Sequence, residues 1–307
     1  MYYAVRSRVV AYLHRMACHE QATARRMASV IQRAGYCEDK MIRSSATING
    51  YEMAYSLHGD QHRPVVVLSH ALATSMDIWA YQLPLLAHRY RVLLYDLRGH
   101  GKSAAPGDSY TLHELASDLA ALLDYLEISR VTFVGLSIGG MVGQAFALGY
   151  PDKLSGLVLC STGSRTEQQA IATIEERINK VRAEGLESQI PATLARWFSA
   201  EFKEGAPATM AWVSDLILAT SVDGYTGCAR ALQGLDLTDA LSEVQVKTLI
   251  IPGEHDLAFP EKVSRAIQQK IACSDLILLK GAAHLGNIEQ PHLFNEILLD
   301  YLSRVPI

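Results

Sequence analysis

Val131-Thr-Phe-Val-Gly-Leu-Ser-Ile-Gly-Gly140 decides the fold. An apolar run of strand length, 131–134, leads directly into Gly135-Leu-Ser-Ile-Gly-Gly140, and a helical pattern follows over 139–149. A serine on a sharp strand-to-helix turn needs small neighbours, because the strained backbone packs against both elements while the hydroxyl projects. Gly135 and Gly139 fit that need. The helix N-terminus behind Ser137 also offers free amides and a positive dipole end to a developing oxyanion. The bland alternative is a tight glycine turn with an incidental serine, and it makes no demand on the rest of the chain.

Working outward, further apolar runs lie at 65–68, 91–95, 157–160, 249–251 and 276–279. Their apolarity is continuous rather than alternating, so both strand faces are buried, as in a parallel sheet between helices. Asn49-Gly50 supplies two positive-φ residues for a hairpin over 46–57. Thr111-Leu-His-Glu114 is a capping box, and Leu115, Leu119, Leu122, Leu123 and Leu126 after it form one helical stripe. Prolines open further helices over 260–271 and 291–302. The expected fold is α/β, a mostly parallel sheet with helices on both faces, its core at 46–162 and 246–307. Residues 163–245 break the rhythm with several helices and carry Trp197 and Trp212, so they read as a helical cap over one end of the sheet.

A nucleophilic serine needs a base and an orienting acid, in the chain order Ser, acid, His for this architecture. Asp256, in Pro252-Gly-Glu-His-Asp256 after the 249–251 strand, is the acid; Glu254 and His255 in the same loop read as solvated. The rival acid position follows the preceding strand, where Cys160-Ser-Thr-Gly163 has no carboxylate. His284 ends Gly281-Ala-Ala-His284 after the last strand and is the base, whereas His292 lies inside the next helix. The oxyanion donors are the amides of Ile138, beside the nucleophile, and Leu72, in the loop Ser69-His-Ala-Leu72.

Gly101-Lys102-Ser103 imitates the end of a phosphate-binding loop, but the glycine required five residues earlier is Asp96. No HExxH or comparable ligand spacing occurs, so neither a metal nor another cofactor is expected. The five cysteines, Cys18, Cys37, Cys160, Cys228 and Cys273, form no CxxC pair and fit a reducing, cytoplasmic compartment. The formal net charge of -4 over 307 residues argues against a surface that follows nucleic acid. No window reaches the roughly 18 uncharged apolar residues of a membrane span. The average conceals an asymmetry: residues 1–37 hold six arginines and the single acid Glu20, a balance of +5, leaving -9 for the remainder. A basic, helical N-terminal extension over 1–45 is therefore expected, read as a targeting peptide, a docking arm or an upstream stretch without a role.

The His70-Ala71 loop, Asp96-Leu-Arg-Gly-His-Gly-Lys-Ser103, the Ser137 turn, Asp256 and His284 resemble the α/β-hydrolase superfamily across 46–304. More narrowly, Gly135-Leu-Ser-Ile-Gly-Gly-Met-Val-Gly-Gln144, Arg196-Trp-Phe198, Tyr225-Thr-Gly-Cys-Ala229 and Ala283-His-Leu-Gly-Asn-Ile-Glu-Gln-Pro291 resemble 3-oxoadipate enol-lactonases. The loop Ser69-His-Ala-Leu72 departs from the form typical of that family. The resemblance implies a serine hydrolase of a small ester or lactone that works through an acyl-enzyme. It further implies Trp197 as a pocket wall, and Arg196 or Arg230 as the cation for a substrate carboxylate. Rival expectations are a general carboxylesterase, a carbon-carbon bond hydrolase of aromatic catabolism, a cofactor-free lyase or oxygenase using His284 as base, and a ligand receptor.

Overall fold

The chain enters the sheet through a hairpin. In the computed structural model, which describes residues 42–305, Asn49 and Gly50 take φ of 47° and 84° and join β1 (Ser44–Ile48) to β2 (Tyr51–His58). The hairpin starts earlier than the pattern suggested, because Ser44 and Ser45 pair with Tyr55 and Ala54. The basic segment 1–37, with Cys18 and Cys37, lies outside the described residues. Next come β3 (Val65–Ser69), α1 (Leu83–Ala87), β4 (Arg91–Tyr95), α2 (Leu112–Tyr125), β5 (Val131–Leu136), α3 (Ile138–Gly149) and β6 (Leu154–Cys160). Five helices follow: α4 (Gln168–Glu184), α5 (Ile190–Trp197), α6 (Ala200–Gly205), α7 (Pro207–Leu218) and α8 (Val222–Gln233). The sheet resumes with β7 (Thr248–Ile251), α9 (Glu261–Lys270) and β8 (Ser274–Leu276), before α10 (Gly286–Glu289) and α11 (Pro291–Leu302).

The eight strands lie in the order β1-β2-β4-β3-β5-β6-β7-β8. The β1/β2 and β2/β4 pairs are antiparallel, and every other pair is parallel. Alternate residues of the parallel strands explain their unbroken apolarity. Val67, Leu93, Phe133, Leu157, Leu159 and Ile250 share one core cluster with the leucines of α2 and with Met141, Val142 and Ala145 of α3. The residues between them, Val66, Leu68, Val92, Leu94, Val134, Val158 and Leu249, are buried as well, on the opposite face. The capping box forms as expected: the Glu114 amide donates to Thr111 Oγ1 at 3.1 Å, and the Thr111 amide donates to Glu114 Oε2 at 2.8 Å.

One strand needs correction. The apolar run 276–279 belongs to the end of β8 and beyond it, because β8 is an edge strand and only Leu279 of that run is buried. Pairing nonetheless continues past β8, with Ile277 and Leu279 amides donating to the Ile250 and Pro252 carbonyls. The helices between β6 and β7 are tied off at a neck. There the Thr166 amide donates to the Leu235 carbonyl, the Leu237 amide donates to the Ser164 carbonyl, and Arg165 Nε donates to Asp236 at 2.7 Å. Parallel pairing of β4, β3, β5, β6 and β7 brings the loops that follow them to one edge of the sheet, the usual place for a ligand in such folds. No helix among the described residues is long and apolar enough to cross a membrane.

Candidate active site

Ser137 occupies the turn between β5 and α3 with φ 57° and ψ -119°, a strained conformation for a residue with a side chain. The turn is held from outside. The Ser137 amide donates to the Cys160 carbonyl at 2.9 Å, and Thr162 Oγ1 donates to the Ser137 carbonyl at 2.7 Å. Space explains the glycines: a Cβ on Gly135 would sit 2.3 Å from the Gly139 carbonyl oxygen, and one on Gly139 would sit 2.4 Å from that of Ser69. Either substitution would push the serine turn off its neighbours.

Asp256 and His284 meet from two loops at the same edge. His284 Nδ1 lies 2.9 Å from Asp256 Oδ2, and both side chains are buried. The other carboxylate oxygen accepts from the amides of Ala258 at 2.8 Å and Phe259 at 3.0 Å. Burial is the largest influence on Asp256 and pushes its carboxyl up. The neighbouring His284 and the two amides together outweigh it and hold the group below the ordinary carboxylate value. Glu254, the other acid of the loop, faces outward to Lys280 Nζ at 2.6 Å and the Gly281 amide at 3.0 Å. It thereby anchors the start of the His284 loop.

The imidazole of His284 lies between aromatic rings. Trp197, the last residue of α5, stacks on it with centroids 6.2 Å apart at 27°, and Phe259 lies 5.8 Å away at 32°. Two hydrogen bonds join the Trp197 segment to the chain around His284: the Leu285 amide donates to the Trp197 carbonyl at 3.1 Å, and the Ser199 amide donates to the side-chain Oε1 of Glu289, in α10, at 3.1 Å. Glu289 Oε2 accepts from the Ala283 amide at 2.7 Å, one residue before the histidine. Phe259 and Glu289 were not singled out in the sequence. Phe259 shares its loop with Asp256, which was the available signal; Glu289 lies within the Ala283–Pro291 stretch quoted for the resemblance, which gave it no role of its own.

The Leu72 loop is set by two buried histidines. His70 Nε2 accepts from the Leu97 amide at 2.9 Å, and its Nδ1 lies 2.8 Å from the Ala71 carbonyl. His100 Nε2 accepts from the Ala73 amide at 3.0 Å, with Nδ1 2.9 Å from the Arg98 carbonyl. Because each Nε2 is an acceptor, both rings are neutral and protonated at Nδ1. Burial, joined for His70 by its proximity to His100, pushes their values down to about 3 and about 4. Ala73 takes φ 57° there, so the turn carrying Leu72 is fixed in an unusual conformation. Among the described residues, nothing accepts a hydrogen bond from the amide of Leu72 or of Ile138. No cluster of three metal-ligating side chains occurs among those residues.

The family model for the alpha/beta hydrolase fold matches residues 64–291. The chain is 30% identical to 3-oxoadipate enol-lactonase 2 of Acinetobacter baylyi, over 85% of this chain and 97% of that protein. It is 32% identical to a protein of Pseudomonas syringae pv. syringae that bears a carbamate hydrolase name, RutD, over 83% of this chain and 100% of that protein. The crystal structure of the enol-lactonase from Burkholderia xenovorans LB400 superposes with a TM-score of 0.82 at 35% identity, covering 85% of this chain and all of that one.

Proposed function

This chain belongs to the α/β-hydrolase fold family, and we propose that it opens a carboxylic ester or lactone through an acyl-enzyme, with 3-oxoadipate enol-lactone as its substrate. The observation that carries the reading is the buried His284–Asp256 pair at 2.9 Å, on loops at the same sheet edge as the Ser137 turn. With Nδ1–H donated to Asp256, the Nε2 lone pair of His284 is left to take the serine proton. Ser137 Oγ then attacks the lactone carbonyl carbon, and the oxyanion is received by the Leu72 and Ile138 amides. A donor of this kind lowers the barrier by about 2.7–4 kcal/mol. Collapse of the tetrahedral centre breaks the ring C–O bond. The departing enol oxygen recovers the proton from His284 and the enol relaxes to a ketone. Water deprotonated by His284 attacks the acyl-enzyme, releasing the acid and restoring Ser137. Asp256 remains ionised throughout, which its depressed value supports. Trp197 walls the pocket beside the base, and residues 163–245 act as the cap that carries it.

The relatives at 30% and 35% identity support the enol-lactone among possible substrates. The 32% identity to a carbamate-hydrolase-named protein favours one second reading, the same serine chemistry on a carbamate carbonyl. Labelling by a fluorophosphonate probe tests the mechanism: wild-type protein is labelled, and Ser137→Ala abolishes both labelling and turnover. Native protein that escapes the probe would refute the acyl-enzyme. Turnover of the enol-lactone, a carbamate and a simple alkyl ester under one condition separates the substrates.

A further inference from the structure

Contacts along α8 seat it on the loop between β4 and α2. At its start, the Ser221 amide and hydroxyl both donate to the Gly99 carbonyl, at 2.9 and 3.0 Å, and the hydroxyl accepts the Gly224 amide at 2.9 Å. Gly224 and Gly99 then meet backbone to backbone. A Cβ on Gly224 would sit 2.5 Å from the Gly99 carbonyl, and one on Gly99 would sit 2.3 Å from the Gly224 Cα. Gly99 also takes φ 67°, where a side chain is strained. Glycine is therefore required on both sides of this contact. Gly227, a neighbour of Gly224 on the helix surface, accepts the Tyr110 amide at 3.3 Å, and Arg230 Nη1 donates to the Asp108 carbonyl at 3.1 Å.

The residue after Gly99 is His100. The Gly99 amide donates to the Ala104 carbonyl at 2.9 Å and the His100 amide to the Leu97 carbonyl at 3.0 Å, which closes this stretch into a compact loop. The His100 ring donates Nδ1–H to the Arg98 carbonyl at 2.9 Å and accepts the Ala73 amide at 3.0 Å, one residue beyond Leu72. Because the ring is tied to the backbone on both sides of Gly99, a displacement of Gly99 moves the ring and the turn that hangs on it. An oxyanion donor works only when aimed at the charge as it develops, and a misplacement of about 1 Å can cost about a hundredfold in rate. We infer that α8 positions the oxyanion turn: Ser221 and Gly224 hold Gly99, and through His100 and Ala73 they set the Leu72 amide. This rests on the acyl-enzyme reading above, in which that amide receives the oxyanion, and adds to it two positioning residues in the segment proposed as the cap.

Steady-state kinetics on p-nitrophenyl acetate, below the melting range of each variant, test it; the short acetyl group makes little demand on the pocket itself. Gly224→Ala places a methyl group against Gly99 and is expected to lower kcat about tenfold or more with KM within about twofold, the pattern of an interaction made only in the transition state. Ser221→Ala removes the hydroxyl bond to Gly99 and should lower kcat about threefold, whereas Ser221→Thr keeps the hydroxyl and should restore it. The serine pair serves as the readout if Gly224→Ala fails to fold. A double-mutant cycle reads the route: in a His100→Ala background, where the Ala73 amide has already lost its acceptor, Gly224→Ala or Ser221→Ala should cost less than about twofold further. If His100→Ala does not fold, the split between kcat and KM and the threonine rescue decide. Unchanged kcat in both α8 variants, a loss confined to KM, a Ser221→Ala loss that threonine does not restore, or losses that multiply independently of His100 overturn the positioning role. Where that happens while wild-type Ser137 is labelled by fluorophosphonate, the failure belongs to the α8 link alone. Wild-type protein that escapes labelling would remove the acyl-enzyme and the link together.

Discussion

His100 shows how a residue with no part in bond making can govern a site. Its Nε2 accepts the Ala73 amide and so fixes the turn that presents the Leu72 amide, a role available only to the neutral ring. Its value, pushed down to about 4, sits below the ordinary 6.5 because charging it in place would strand a buried cation. The sign of the linkage follows. The stabilisation is fully present above about pH 6.5 and is lost as the pH falls toward about 4, because the unfolded chain takes up protons that the folded chain refuses. His70 extends the same loss toward about pH 3. We therefore expect the melting temperature to fall steadily from pH 7 to pH 4.5, and to fall less steeply in His100→Gln. A glutamine can accept the Ala73 amide but does not titrate. Calorimetric melts of both proteins across that range check this, and parallel pH slopes would show that charging His100 is not what acid unfolding exploits.

A loop and a helix end are tied together by a carboxylate close to the one in sequence and 90 residues from the other. Glu289 accepts from Ala283 in the His284 loop and from Ser199 just beyond α5, so one side chain fixes the base and the Trp197 wall relative to each other. A hydrogen bond to a charged group contributes about 1.5–3 kcal/mol. Glu289→Gln retains one acceptor oxygen and turns an N–H toward one of the two amides, so one bond is lost and a repulsive contact replaces it. The variant should melt roughly 3–10 °C lower and lose about tenfold in kcat with a smaller change in KM. Steady-state kinetics below the melting range check it: unchanged kcat in a less stable variant would reduce Glu289 to scaffolding. The same bond marks the limit of sequence reading. Strands β3 to β7 and the helices after them were legible because continuous apolar runs and caps are local patterns; Ser137 and Asp256 were read from their positions after two of those strands, and His284 from its position after the last apolar run. Glu289 meets Ser199 from 90 residues away, and Phe259 reaches His284 across separate loops, so no local spacing encodes either contact. The end of β8 was misplaced for the opposite reason, since an edge strand has only partial burial to select its apolar residues.

At the scale of the whole chain, charge and site separate along the sequence. Residues 1–37 hold a balance of +5 against -9 for the rest, whereas Ser137, Asp256, His284, Leu72 and Ile138 all lie beyond it. From Arg43 onward the chain folds as one compact unit, and its first residue is already part of the frame. Arg43 Nη1 donates to the buried Asp96 at 3.1 Å and also pairs with Asp77. Asp96 in turn accepts the amides of Met76 at 2.8 Å and Lys102 at 2.9 Å, which secures the loop carrying His100. The position of a truncation therefore matters more than its length. A protein lacking residues 1–37 keeps Arg43 and should fold, retain its melting temperature, and hydrolyse the enol-lactone with kcat/KM within about twofold of the full chain. Removing Arg43 as well leaves Asp96 without its cation and should lower the melting temperature, because breaking a partly buried pair exposes the surviving charge to an unrelieved desolvation cost. Side-by-side melts and kinetics of the two truncations and the full chain decide the matter. A shorter protein that lacks only residues 1–37, folds and yet is inactive would make the basic segment part of the enzyme.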